Sequence, residues 1–224
     1  MDRPKCSRND GDDLPAARHV LFNSIYDVAG PACVVNTVER MSGIRVDHFI
    51  AVDFLGFKGL VDALGGVTFT TGEAIHDIRR GCSLEPGTHK LNGENALKLV
   101  HTRYGYRDGS DLGRIGLQQQ FILSLLTEIK KQIAADDPAR LYKLIRVGTK
   151  ALTTDSHLAS LTALADFAEA LKDISAKTAE TVTLPVVLDS IDPNRVILSQ
   201  PHASQLWEAL RHDMKIPTSA IKEL

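Results

Sequence analysis

The chain has 224 residues, with 26 Lys+Arg against 28 Asp+Glu and a formal net charge of −2. Hydrophobic residues make up 43% and charged residues 24%, an ordinary globular composition, so a global electrostatic pull toward nucleic acid is excluded. No run of about 18 apolar residues is present to span a membrane, the polar start Met1-Asp-Arg-Pro-Lys-Cys6 does not read as a signal peptide, and three cysteines are too few for a disulfide scaffold.

Residues 1–19 are charged and lack periodicity, so they read as a loop or frayed end, and Asp10, Asp12 and Asp13 read as solvated turn residues. A helix is expected from about Pro31 to Met41, with Pro31 in its first turn and Gly43 at its left-handed end. Phe49–Phe54 reads as a strand. Phe57, Leu60, Val61 and Leu64 have helical spacing. Val67–Thr71 is a strand by its β-branched and aromatic content. Residues 72–93 read as irregular, with turn signals at Glu85-Pro-Gly87 and Asn92-Gly93. A short helix from Glu94 to Leu97 leads into Leu99–Arg103, read as extended, so that His101 and Arg103 would share a strand face and Lys98 would face water.

A long helix is expected from about Leu112 to Ala134, with an apolar stripe of Ile115, Phe121, Ile122, Leu125, Leu126, Ile129 and Ile133. Further helices are expected near 138–147, 157–173 and 203–212, the last with Trp207 in the core, and strands near Thr181–Val187 and Arg195–Leu198. Alternating helices and strands favour an α/β or α+β sandwich, with no boundary that splits the chain.

The chemistry concentrates in residues 100–120. Ser110 or Asp111 is the natural N-cap of the long helix. Asp111, Arg114 and Gln118, at i, i+3 and i+7, lie on one stripe at its start. A helix N-terminus offers partial positive charge and free N–H groups, Arg114 adds a bidentate fork, and Arg103 enters from the preceding segment. Together these point to phosphate or pyrophosphate. The plainer alternative stays open: Asp111 is only a cap and Arg114 only a solvated first-turn residue. Arg79 and Arg80 read as loop surface.

Several strings resemble LytR–CpsA–Psr domains. They are Asp47-His-Phe-Ile-Ala-Val-Asp-Phe-Leu-Gly-Phe-Lys-Gly-Leu-Val-Asp-Ala-Leu-Gly-Gly-Val67, Leu84-Glu-Pro-Gly-Thr-His-Lys-Leu-Asn-Gly-Glu-Asn-Ala-Leu97, and Thr102-Arg103 through Ser110–Gln119. Asn23–Tyr26, Gly30 and Thr37-Val-Glu39 also fit, so the resemblance covers roughly residues 20–130, with an actinobacterial character in the tail around Asn194-Arg-Val196 and Trp207.

The resemblance implies a central mixed β-sheet flanked by helices on both sides, with an apolar cleft for lipid. It implies a phosphotransferase that moves a glycopolymer, such as teichoic acid or arabinogalactan, from a polyprenyl-pyrophosphate carrier to peptidoglycan. Its partners are then the lipid-linked glycan and the peptidoglycan acceptor, not nucleic acid. Carried over by position, Arg103, Arg114 and Gln118 bind pyrophosphate, Asp111 and Arg114 act in catalysis, and His101 stands where the family usually has arginine. The family's Mg²⁺ ligands and first strands have no counterpart in residues 1–20, so the resemblance implies a domain truncated at its N-terminus, extracytoplasmic, and anchored through a missing segment. On that expectation residues 1–19 are a remnant and 20–224 a single incomplete domain. The resemblance also implies a Cys6–Cys33 disulfide with Cys82 free, three unpaired thiols being the alternative. A non-catalytic module that binds the lipid-linked glycan is the competing function. A transcriptional regulator is a weaker reading, since no helix-turn-helix pattern is visible.

Overall fold

The computed structural model describes residues 1–7, 12–106, 111–135, 137–170 and 181–221, with backbone alone at 111, 112, 138, 140 and 141. Asp10 and Ser110 lie outside the described residues. The chain forms two compact units, 1–49 with 182–224, and 50–181.

The first unit begins with two short strands, β1 (Cys6–Ser7) and β2 (Asp13–Leu14), paired antiparallel as Cys6 opposite Leu14. Arg3 and Ala17 extend the ribbon by exchanging backbone hydrogen bonds of 2.8 and 3.0 Å. In the segment expected to be a loop, Arg3, Cys6, Ser7, Asp13, Leu14 and Ala17 are therefore paired backbone. Two-residue strands carry no alternation to betray them. The Cys6 side chain packs with Ile25, Ala29 and Cys33 and is joined to Cys33 by a disulfide, Cα–Cα 5.6 Å. Helix α1 (Phe22–Ser42) is interrupted at Gly30, φ 73°, and restarts with Pro31 in its first turn. Gly43 ends it in the left-handed conformation, donating its N–H to the Glu39 carbonyl at 2.7 Å.

The second unit starts with β3 (Ile50–Val52), followed by α2 (Phe54–Ala63), whose N-cap Asp53 accepts from the Gly56 N–H. Strands β4 (Val67–Thr71), β5 (Ile75–Asp77), β6 (Cys82–Leu84) and β7 (Gly87–Leu91) precede α3 (Gly93–Val100). The segment read as irregular thus holds three strands. Each is short, and β7 buries Leu91 alone, so no period-2 signal rises above the turn residues. Asp62 of α2 accepts the Gly93 N–H at 2.7 Å and ties α2 to α3. Helices α4 (Asp111–Ala134), α5 (Pro138–Ala151) and α6 (Leu161–Ala170) follow, with β8 (Leu152–Thr154) between the last two.

The core of this unit joins Val61, Phe69, Leu99, Leu117 and Phe121. On α4 the buried line runs through Leu117 and Phe121, with Leu125 and Ile129 packed against it. Ile122, expected in that stripe, is 51% exposed. Gln120 donates to the Thr70 carbonyl at 2.7 Å and Gln132 to the Leu64 carbonyl at 3.3 Å, so polar side chains also dock α4.

The first unit closes with β9 (Val186–Leu188), β10 (Val196–Leu198) and α7 (His202–Arg211). Ala203, Leu206 and Ala209 are the buried residues of α7. Trp207, expected in the core, is half-buried, and its Nε1 is buried without a hydrogen-bond partner among the described residues.

The fold is mixed α and β, as expected. Among the described residues the strands form five two-stranded antiparallel ladders, β1–β2, β3–β8, β4–β7, β5–β6 and β9–β10, rather than one mixed sheet. Strands of two to five residues suit such local ladders.

Candidate anion-binding site

The site is organised by a residue that spacing did not single out. Asp77, at the end of β5, is 1% exposed. Its Oδ1 accepts the Arg80 N–H at 3.1 Å, closing a turn over 77–80. Its Oδ2 accepts the N–H groups of Arg103 at 3.0 Å and Tyr104 at 3.1 Å. Burial pushes this carboxyl up. The N–H groups of Arg103, Tyr104, Arg80 and Arg79 outweigh that and hold it below the usual carboxylate range. One ionised carboxylate therefore fixes two arginine-bearing segments. The guanidinium of Arg79 lies 4.7 Å from the Tyr104 ring centroid and links the same segments again. The sequence did carry a signal for this: an Asp followed by Arg79-Arg80-Gly81 is a turn that the Asp side chain closes onto its own backbone.

His101 is not on a strand. It is the C-cap of α3, in right-handed helical conformation, with its N–H donated to the Leu97 carbonyl at 3.2 Å. The helix extends past Leu97 because Leu99 faces the core. His101 and Arg103 thus do not share a strand face, and Lys98 is a helical residue 3.9 Å from Glu94. Phe54 meets the imidazole edge-on, ring centroids 4.5 Å apart. Burial lowers the His101 pKa, and the charges of Arg80 and Arg114 lower it further. His101 is therefore neutral near neutral pH, with two arginines close enough to repel its proton.

Arg114 lies half-buried in the first turns of α4, where the helix N-terminus adds partial positive charge. Gln118, one turn on, donates its Nε2 to the Val100 carbonyl at 2.9 Å, so it docks the start of α4 onto the end of α3. Asp111 begins α4, and its side chain lies outside the described atoms. The charges of Arg80 and Arg114 both lower the His101 pKa, and Asp77 holds the Arg103 backbone beside that of Arg80.

Cys82 is free and buried. Burial pushes its thiol up, a hydrogen bond from Thr102 lowers it, the Asp77 charge raises it and Lys98 lowers it. It fills the core behind the site as an inert thiol.

No group of three or more His, Cys, Asp or Glu among the described residues is placed to hold a metal ion, and both Asp77 oxygens already accept backbone N–H groups.

These features define a mixed α/β protein with Arg114 in the first turns of a long helix and two arginine-bearing segments tied together by Asp77. The chain belongs to the LytR_cpsA_psr family, which it matches over residues 4–212. It is 34% identical over 161 residues to Biofilm regulatory protein A of Streptococcus mutans, covering 68% of this chain and 39% of that protein. It is 31% identical over 164 residues to the cell wall biosynthesis protein LcpA of Corynebacterium glutamicum, covering 73% and 30%. The chain thus matches less than half the length of these relatives. Its fold is that of a LytR-Csp2A-Psr enzyme from Actinomyces oris, TM-score 0.67 and 22% identity over 94% of this chain and 77% of the other. It is also that of TagT bound to LI-WTA, TM-score 0.64 and 21% identity over 96% and 77%. Among the described residues no helix is long and apolar enough to cross a membrane.

Proposed function

We propose that this chain binds the pyrophosphate of a polyprenyl-linked cell-wall glycopolymer and transfers the glycopolymer to a peptidoglycan hydroxyl. The observation that carries this reading is the Asp77 carboxylate, which ties the Arg80 turn to the Arg103 segment, together with Arg114 half-buried in the first turns of α4. Such cations neutralise phosphate oxygens in the ground state and as charge shifts during transfer. Phe54, 63% exposed at the edge of His101, offers apolar surface next to the anion site, as a lipid pyrophosphate requires.

In this reaction the acceptor hydroxyl oxygen attacks the phosphorus bonded to the glycan. A new P–O bond forms, the bridging P–O bond to the lipid phosphate breaks, and polyprenyl phosphate leaves. The hydroxyl proton passes to a carboxylate, for which Asp111 is the candidate. The family membership and the wall-related names of relatives support this class of substrate. A location outside the cytoplasmic membrane accords with the Cys6–Cys33 disulfide.

One observation favours a second reading, in which the glycan is held but not turned over: the position where the family usually has arginine holds an imidazole that is neutral. Incubating the full-length protein with a polyprenyl-pyrophosphate glycan and peptidoglycan distinguishes the two. Transfer with release of polyprenyl phosphate, abolished in Arg114→Ala, supports the transferase. Binding that Arg114→Ala weakens, without release from the native protein, supports the binding module. Arg114→Ala with unchanged transfer and binding removes the site assignment.

A further inference from the structure

On α3, α4 and α7 a surface cation sits one turn from an acid: Lys98 and Glu94 at 3.9 Å, Lys131 and Glu128 at 2.9 Å, Arg211 and Glu208 at 2.6 Å. Helix α5 differs. Pro138–Ala151 holds no Asp or Glu. Leu144 packs on the core, and Val147 and Ala151 face α2, where a Cβ on Gly59 or Gly56 would meet them. Lys143, Arg146 and Lys150, at i, i+3 and i+7, lie on the other side and are exposed. Tyr142, 59% exposed, stands one turn before Arg146. None of the three cations forms an ion pair among the described residues. One helix face thus carries a single sign of charge in a chain whose net charge is −2. Apolar surface adjoins it. A Cβ on Gly56 would meet the Ala151 carbonyl oxygen at 2.5 Å, so the start of α2 lies against the end of α5, next to Lys150. There Phe54 is exposed and Leu55 is 79% exposed. A dissolved polyanion needs the cations alone. Apolar side chains beside them suit a lipid surface, where they enter the headgroup region while lysines and arginines reach the phosphates.

We propose that the Lys143–Arg146–Lys150 face of α5, with Leu55 beside it, is a docking surface for an anionic lipid bilayer. The assignment stands on the distribution of charge and apolar surface and does not depend on the transfer reaction. Docking there keeps the chain at the bilayer, where a lipid-linked substrate lies.

The test is co-sedimentation of the full chain with vesicles, either equimolar phosphatidylglycerol and phosphatidylcholine or phosphatidylcholine alone, at low and at physiological salt. The native chain is expected on the anionic vesicles, less so at the higher salt, and not on the neutral ones. Each cation near such a surface is worth about fivefold in affinity, so Lys143→Gln, Arg146→Gln and Lys150→Gln combined should weaken binding roughly hundredfold. The charge-keeping set Lys143→Arg, Arg146→Lys and Lys150→Arg should retain it. Leu55→Ser should weaken it severalfold with the salt dependence unchanged, which a purely electrostatic surface would not show. All four positions are exposed, so these variants keep the native melting temperature. Native-like vesicle binding by the triple Gln variant overturns the assignment, as does failure of the native chain to sediment with anionic vesicles. Binding of soluble inorganic polyphosphate with none to the vesicles overturns it in favour of a polymeric anion. The pyrophosphate reading survives either result, because none of these residues belongs to the arginine site.

Discussion

His101 is held neutral first by burial, then by the charges of Arg80 and Arg114. Its pKa in the folded chain is below the ordinary value of about 6.5. The stability this contributes is therefore present above the unfolded value and is lost as pH falls through the folded one. A bound pyrophosphate reverses the local field and raises the same pKa. Proton uptake and anion binding then help each other, so affinity for pyrophosphate rises as pH falls from about 7.5 to about 5.5. Pyrophosphate itself also titrates in that range, so the informative quantity is the difference from His101→Gln. The variant should show a flatter profile by a few-fold at the acid end. Identical profiles for the two proteins would remove His101 from the site. Residue identities at this scale were partly legible in the sequence. Arg103, Arg114 and Gln118 stood out by type and spacing. That Gln118 is engaged by the Val100 carbonyl was not legible, because a side-chain amide chooses its partner only once α3 and α4 are packed.

At the scale of elements, the site depends on how closely the segment after α3 approaches β5. His76 donates its N–H to the Gly105 carbonyl at 3.0 Å. Gly105 has φ 77°, and a Cβ there would meet the His76 carbonyl oxygen at 1.8 Å, an impossible approach. Gly105→Ala must therefore push the 103–106 segment off β5 and strain its own backbone. The expected cost is roughly 2–4 kcal/mol by urea unfolding, with pyrophosphate affinity falling in parallel because Arg103 moves with the segment. A variant with native stability would show that the approach is less tight than the structure has it. Helix α4 was read closely from sequence because the 3.6-residue period repeats over several turns, whereas α1 was read only from Pro31 and its part before the break at Gly30 was missed. The β5–β6 hairpin and β7 were missed because three to five residues are too few to establish a period among the surrounding turn residues. The extended reading of 99–103 failed for a related reason: Leu99-Val100 favours strand locally, but burial of Leu99 against the core continues α3 instead.

At the scale of the molecule, the arginine site lies wholly in the unit 50–181 and the disulfide wholly in the other. The disulfide pairing was legible only through family resemblance, since three cysteines spaced as these are allow several outcomes, and the ribbon that carries Cys6 had no sequence signature of its own. In the structure the bond fastens that ribbon to the middle of α1 across a sequence separation of 27. Closing a loop of this length restricts the unfolded chain by about 3.5 kcal/mol on the chain-entropy account. Among the described residues the ribbon is also held by its two-pair ladder, the Arg3–Ala17 bridge, the Arg3 guanidinium on the Pro15 carbonyl, the Lys5–Asp13 ion pair, the Val20 N–H on the Met1 carbonyl and the packing of Cys6 on Ile25 and Ala29. Cys33→Ser should therefore lower stability by about 2–4 kcal/mol and expose backbone amides of residues 3–17 to faster hydrogen exchange. The site unit should retain its protection, because no cross-link there is lost. Thiol counting tests the premise independently. The native chain, denatured without reductant, should present one reactive thiol, from Cys82, and three after reduction. Three thiols before reduction would overturn the cross-link. One thiol with unchanged stability in Cys33→Ser would instead mean that the ribbon is held by its own pairing.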